Sequence, residues 1–270
     1  MKERLDVLLV DLGYFADIRE AASNIMIGNI LINEKKIDKA GALIKLDEKL
    51  DIRVKGKKEK YVSRGGLKLE KAITKFNLDF SNALVLDVGA STGGFTHCAL
   101  EHGASQVYAI DVGTNQLHWT LRNNPKVKSI ENMHINNLEL AHIEQKKIDY
   151  ITIDVSFISI KNIINSVKKF VSNNTKLVIL LKPQFEAEKD EVEKGGVVKK
   201  IHVHEKVIHD IILVCEKLEL FIEDLDFSPI KGAKGNIEYI LLFSSNSVSK
   251  EKINVQKVVE AAKILGGKYD

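Results

Sequence analysis

The chain has no apolar run near the roughly 18 to 20 residues that a membrane-spanning helix needs. Its longest apolar stretches, such as Leu177 to Leu181, are strand-sized. Charged residues rather than an apolar segment follow Met1, so no secretory signal is read there. Cysteine is scarce: Cys98 and Cys215 are the two in 270 residues, far apart and in helix-like contexts. They exclude a disulfide framework and a zinc site, and they fit a reducing compartment. No metal is expected, because no Cys, Asp or Glu completes a ligand pattern around His202, His204 and His209, which read as a solvated helix start. Repeats and low-complexity segments are also lacking. What remains is a cytoplasmic protein without a membrane partner. At 44% hydrophobic content it can bury a core for one large domain and a smaller one.

Net charge is also small, +3, but unevenly spread. From Arg53 to Lys75 nine basic residues stand against two acidic ones, Glu59 and Glu70. Such an excess is a footprint for a polyanion, although charge alone is better explained by a solvated linker and helix face.

Residues 1–57 read as one compact unit. Leu5, Leu8, Leu9 and Leu12 recur at helical spacing with Gly13 as a stop; Ile18, Ala21, Ala22 and Ile25 repeat the pattern up to Gly28. Strand-like stretches follow at Ile30 to Ile32 and Leu50 to Val54, with a basic turn expected at Lys35 and Lys36. Residues 58–62 read as a basic linker. Residues 63–245 form a second unit, and residues 246–270 a polar tail with a helix ending near Leu265.

In the second unit, Ala83 to Val88, Gln106 to Ile110, Tyr150 to Ile153 and Leu177 to Leu181 are short apolar runs separated by helix-length stretches. That alternation predicts an α/β fold with a mostly parallel sheet. Leu225 to Phe227 and Glu238 to Phe243 leave no room for a crossover helix, so they are expected to pair antiparallel.

The segment Leu86-Asp87-Val88-Gly89-Ala90-Ser91-Thr92-Gly93-Gly94-Phe95-Thr96 is a strand turning through glycines into a helix. Glycines allow positive φ and close approach to a ligand, and the helix start offers unpaired amides. A dinucleotide site favours Gly-x-Gly-x-x-Gly. Here Ser91 replaces the middle glycine, and Asp87 would repel a pyrophosphate but hold an ammonium. The cofactor expected is S-adenosylmethionine, bound by Asp87, Gly89, Ser91, Gly93, Gly94 and Phe95. Asp111, 22 residues after Gly89, ends the next strand and is expected on the ribose hydroxyls, with Asn132 at the adenine edge.

Asp154 and Lys182 each end an apolar strand at the sheet edge where open α/β folds bind ligands. A lysine closing an apolar strand needs a partner, because burying an ammonium is costly. Glu238 begins the final strand, and Lys68 lies in an expected helix from Gly66 to Phe76.

These four residues resemble the Lys-Asp-Lys-Glu tetrad of FtsJ-type ribose 2′-O-methyltransferases. Ser63 to Leu69, Lys182-Pro183-Gln184-Phe185-Glu186, Ser228 to Gly232 and Gly235 to Tyr239 are similar to the TlyA branch of that family. Residues 1–57 resemble the αL-motif RNA-binding domain that accompanies it. The resemblance implies a Rossmann-like methyltransferase sheet, a small α+β RNA-binding domain, and methylation of a ribosomal RNA ribose at cytidine. It implies Lys68, Asp154, Lys182 and Glu238 as catalytic, and Arg4, Arg19, Lys35, Lys36 and Arg64 as RNA contacts. Ribosomal RNA or ribosomal subunits would be the partner. The linker departs from relatives with a basic-x-Trp-Val tetrapeptide, carrying Glu59-Lys60-Tyr61-Val62 instead.

Lys182 is the expected base or hydroxyl-orienting group. For a base, its pKa has to fall from about 10.4 towards 7 or 8, and a neighbouring Lys68 would supply the repulsion. Gly195-Gly196-Val197 is expected as a mobile loop over the site. The competing functions are a membrane-active hemolysin, which needs a span or lytic helix, and a non-catalytic ribosome-assembly protein, which would have no need of all four tetrad residues.

Overall fold

The computed structural model describes residues 2–12, 14–15, 17–33, 35–45, 50, 52–55, 60–246 and 253–266. The expected stop at Gly13, linker residues 58–59 and tail residues 247–252 and 267–270 lie outside the described residues.

In the N-terminal unit, β1 (Lys2–Arg4) leads into α1 (Leu5–Asp11) and α2 (Ile18–Met26). The strands β2 (Ile30–Ile32), β3 (Lys35–Ile37), β4 (Leu43–Lys45) and β5 (Ile52–Val54) follow. Asp17 caps α2 by accepting from Glu20 N at 2.8 Å, and Gly28 ends it at φ +77°. The apolar faces of both helices close over Ile30, Ile32 and Ile52. Lys35 and Lys36 are not in a turn but in β3, which pairs antiparallel with β2. Ile37 lies opposite Ile30, and the chain bends at Asn33 (φ +47°) instead. The short pairing of β1 with β4 had no sequence signal, since both strands are largely exposed.

The large unit holds seven strands: β6 (Leu84–Val88), β7 (Gln106–Ile110), β8 (Val127–Ile130), β9 (Tyr150–Ile153), β10 (Lys176–Leu181), β11 (Phe221–Phe227) and β12 (Tyr239–Ser244). Their order is β11-β12-β10-β9-β6-β7-β8. The pairings from β10 through to β8 are parallel, and β12 runs against both β10 and β11. On one face α3 (Gly65–Lys75) and α4 (Gly94–Glu101) pack Leu69, Ala72, Cys98 and Ala99 onto Val85, Val107, Val178 and Ile240. On the other, α5 (Ile201–Glu216) packs Val203, Val207 and Ile211 onto Leu86, Ile151, Ile179 and Leu241. The helix expected in the tail, α6 (Val255–Gly266), is not peripheral. Val255, Val259 and Ala262 are buried in that second core.

The chain winds outward from β6 through β7 and β8, then returns to place β9 on the other side of β6. The carboxyl ends of β6 and β9 therefore flank a switch point, where open α/β sheets bind ligands. Among the described residues, no helix is long and apolar enough to cross a membrane.

Candidate active site

The loop after β6 is shaped by close backbone approaches. Gly89 has φ +84°, and a Cβ there would stand 2.7 Å from the Asp154 carbonyl oxygen. Gly94 leaves no room for a side chain, since its Cβ would lie 2.8 Å from Gly66 N at the start of α3. Ser91 takes φ +48°, and its amide donates to Asp111 Oδ2 at 2.8 Å. Asp111 Oδ1 accepts from Gly113 N at 2.7 Å, so this carboxylate braces the loop at the end of β7.

A cavity of about 240 Å³ opens at the switch point. Gly89, Ala90, Ser91, Thr92, Gly94 and Phe95 line one side; Ser63, Gly65, Lys68, Asp154, Ser156 and Lys182 line the other. Lys182 Nζ lies 2.6 Å from Asp154 Oδ1 as a charge contact, while its aligned hydrogen bond goes to Ser156 Oγ at 2.8 Å. Lys68 Nζ donates to Glu238 Oε2 at 2.5 Å. Both lysines are only 9% exposed and Glu238 2%, so these are two buried ion pairs.

Burial alone would push the Lys182 ammonium down, but the Asp154 and Glu238 carboxylates outweigh it and hold the group above its ordinary pKa. Asp154 is held below the usual carboxylate range: burial opposes this, and the ammonium groups of Lys182 and Lys68 overcome it. The expected depression of Lys182 by Lys68 is therefore corrected. Asp154 at 2.6 Å and the Glu238 carboxylate decide the balance, so Lys182 stands charged. Glu238 likewise precedes β12 rather than beginning it, and its carbonyl oxygen accepts from Ser228 N at 2.8 Å.

Several expected cofactor residues are placed differently. Asp87 is fully buried; its oxygens accept from the hydroxyls of Thr96 (2.6 Å) and Thr152 (2.8 Å), so it lies beneath the loop rather than in the cavity. Burial pushes its carboxyl up to about 6. Gly93, at φ +95°, caps α4 and does not line the cavity. Asn132 is an exposed turn residue at φ +54°, its amide bonded to Gly113 O.

Among the expected RNA contacts, Arg19, Lys35 and Lys36 are exposed. Arg4 is exposed but paired with Asp6 at 2.7 Å. Arg64 turns inward: its guanidinium donates to Leu12 O and lies 5.0 Å over the Tyr14 ring. The histidines also part company. His202 and His209 are exposed, whereas His204 is buried, its Nε2 donating to Val198 O at 2.9 Å and its Nδ1 accepting from Tyr239 Oη at 3.0 Å. The glycine segment 195–197 is tied down rather than lying free, through the Glu193–Val197 bridge and the Asn236 side chain, which donates to Gly196 O and accepts from Val198 N.

Ser63 and Ser156 were missed; the signal available was their place beside Lys68 and Asp154 in segments already singled out. Glu186 closes the Lys182-Pro183-Gln184-Phe185-Glu186 segment. It accepts from Ser159 Oγ (2.6 Å) and Ile160 N (2.7 Å), fixing the segment that leaves Asp154. On that segment Phe157 stands 72% exposed at φ +66°, its ring 5.2 Å from Phe185.

Residues 61–245 match the model of the family described as FtsJ-like methyltransferase. The chain belongs to that family. Hemolysin A of Brachyspira hyodysenteriae is 40% identical over 243 residues, 89% of this chain and 99% of its own. The 16S/23S rRNA (cytidine-2′-O)-methyltransferase TlyA of Mycobacterium tuberculosis is 33% identical over 240 residues, 89% of each chain. A solved Streptococcus thermophilus protein that carries a hemolysin label superposes with a TM-score of 0.79 at 38% identity, over 99% of this chain and 98% of its own.

Proposed function

We propose that this methyltransferase uses S-adenosylmethionine to methylate a ribose 2′-hydroxyl of ribosomal RNA, with a cytidine as the target nucleotide. The observation that carries the reading is the pair of buried ion pairs, Lys68–Glu238 and Lys182–Asp154, at the mouth of the glycine loop. Cationic side chains are expensive to bury, and two at one ligand edge suit a site that handles a hydroxyl proton. The name of the Mycobacterium relative supports the choice of ribose and of cytidine.

The cavity residues fit the cofactor: glycines bring the loop backbone close, and Asp154 offers a carboxylate for the charged end of the cofactor. Asp111, which does not line the cavity but braces its loop, is the carboxylate within reach of a ribose. S-adenosylmethionine supplies an electrophilic methyl group on a cationic sulfur. Lys182, charged as it stands, orients the hydroxyl oxygen, with Ser156 and Asp154 fixing its ammonium. A further cation in the same cavity disfavours that charge and brings the amine towards the form that accepts a proton. Lys68, on the cavity wall, would position the nucleotide, and its partner Glu238 keeps the cluster near neutrality. The N-terminal unit would bring the RNA, through Arg19, Lys35 and Lys36.

Mapping 2′-O-methylation on ribosomal RNA from cells with and without the gene tests the reading. It predicts a cytidine that loses its 2′-O-methyl group in the deletion strain and regains it on incubation with the purified chain and cofactor. An unchanged map, or loss of a base methyl group, would refute it.

A further inference from the structure

Two contacts tie the end of α1 to the large unit. Arg64, on which α3 starts, donates to the Leu12 carbonyl oxygen and covers the Tyr14 ring. Lys231 places its ammonium 3.7 Å from Asp11 Oδ1, a buried oxygen that accepts no hydrogen bond among the described residues. Glu3 belongs to the same cluster: burial and the nearby Asp11 push its carboxyl up, while Lys231 pulls it down.

Each of these contacts leads to one half of a single ion pair. Lys68 follows Arg64 by four residues in α3, one turn on and about 6 Å along the same face. Lys231 adjoins Gly232, where an added Cβ would collide with Glu238 Oε1, so this glycine backs the carboxylate. Gly232 N also donates to Asn236 O at 2.8 Å, closing the turn that ends at Glu238. A backbone shift at Lys231 would therefore move the turn that backs the Glu238 carboxylate. Asp154 and Lys182, by contrast, are held by the ends of β9 and β10.

We propose that Arg64 and the Asp11–Lys231 pair are positioning contacts through which the docked N-terminal unit sets the Lys68–Glu238 geometry. RNA held by the small domain is then registered at the transfer site as rate rather than as affinity. The inference rests on Lys68 and Glu238 being part of the transfer centre. The Asp11–Lys231 pair is half-buried and loosely engaged at 3.7 Å, so its loss is expected to cost less than that of a fully buried pair and to leave the fold intact while Lys68–Glu238 relaxes.

The test uses the full chain, ribosomal subunits from cells lacking the gene, and methyl-labelled S-adenosylmethionine under single-turnover conditions. Asp11→Lys and Lys231→Asp should each slow transfer at saturating subunits by roughly tenfold to hundredfold, the scale of a displacement near 1 Å. Affinities for subunits and cofactor should stay near wild type, and the combined charge swap should restore most of the rate. Should either variant melt early, Asp11→Asn and Lys231→Ala report the same quantity. Single variants that transfer at the wild-type rate, that lose RNA affinity in step with rate, or whose folded charge swap recovers nothing overturn the proposal. Glu238→Gln, run in parallel, separates the two readings. If it is inactive while the docking variants are normal, only the positioning role falls; if it retains full activity, the transfer-centre reading falls and the inference with it.

Discussion

Lys68 and Glu238 are 170 residues apart in the chain, and their charged ends lie 2.5 Å apart in the fold. Removing one partner of a buried pair strands the other charge and typically costs about 3 to 5 kcal/mol, whereas an apolar replacement of both is often neutral. Glu238→Ala is therefore expected to lower the melting temperature and to abolish transfer. Lys68→Met combined with Glu238→Leu should regain most of the stability and none of the transfer. Calorimetry beside a methyl-transfer assay separates these effects; activity that returned with stability would mark the pair as structural.

Asp87 makes a pH-dependent prediction. Its carboxyl has an ordinary value of 3.8 and is raised by burial to about 6 in the fold. The folded state thus holds the proton more tightly, so this group's stabilisation is complete below about 3.8 and is lost as the pH climbs through about 6. Asp87→Asn lacks that titration. The melting temperature of the variant minus that of the wild type should rise between about pH 4 and pH 6 and level off above. A difference that is flat with pH would mean that the carboxyl does not titrate with folding.

RNA affinity should fall with salt, because phosphate contacts release counterions. Replacing Arg19, Lys35 or Lys36 by alanine should each lower the slope of log affinity against log salt by about 1. Arg64→Ala should change it less, since that guanidinium is already engaged by Leu12 O and the Tyr14 ring. Anisotropy titrations with a ribosomal RNA fragment measure the slopes, and an Arg64 effect equal to the others would put this residue back on the RNA.

The parallel sheet was legible because its central strands are buried on both faces and read as continuous apolar runs, as in Leu177 to Leu181. The edge strand β8 was not, since Val127-Lys128-Ser129-Ile130 is only half-buried and mixes polar with apolar residues. Glu223 and Asp224 hid the first half of β11, where the register shifts. The four charged residues of the site were legible by type, because a lysine at the end of an apolar strand demands a partner. Their pairing was not: nothing in the sequence shows that Glu238 meets Lys68 while Asp154 meets Lys182, and the charge state of Lys182 follows from that pairing. Asp87 and Arg64 were misplaced for a related reason. Sequence marks a polar residue beside a site, but only packing shows that Thr96 and Thr152 claim the one and that α1 claims the other.

The most direct measurement is single-turnover transfer of labelled methyl groups to ribosomal RNA by Lys182→Ala, with folding checked by thermal melting. Loss of a group that handles the hydroxyl proton typically slows a reaction by about 10² to 10⁴. The variant should show that loss with cofactor and RNA affinity preserved. Lys182→Arg should recover little, because a guanidinium stays protonated and its planar fork does not match a single hydroxyl. Near-normal transfer by a folded Lys182→Ala protein would contradict the assignment of this cluster as the transfer centre.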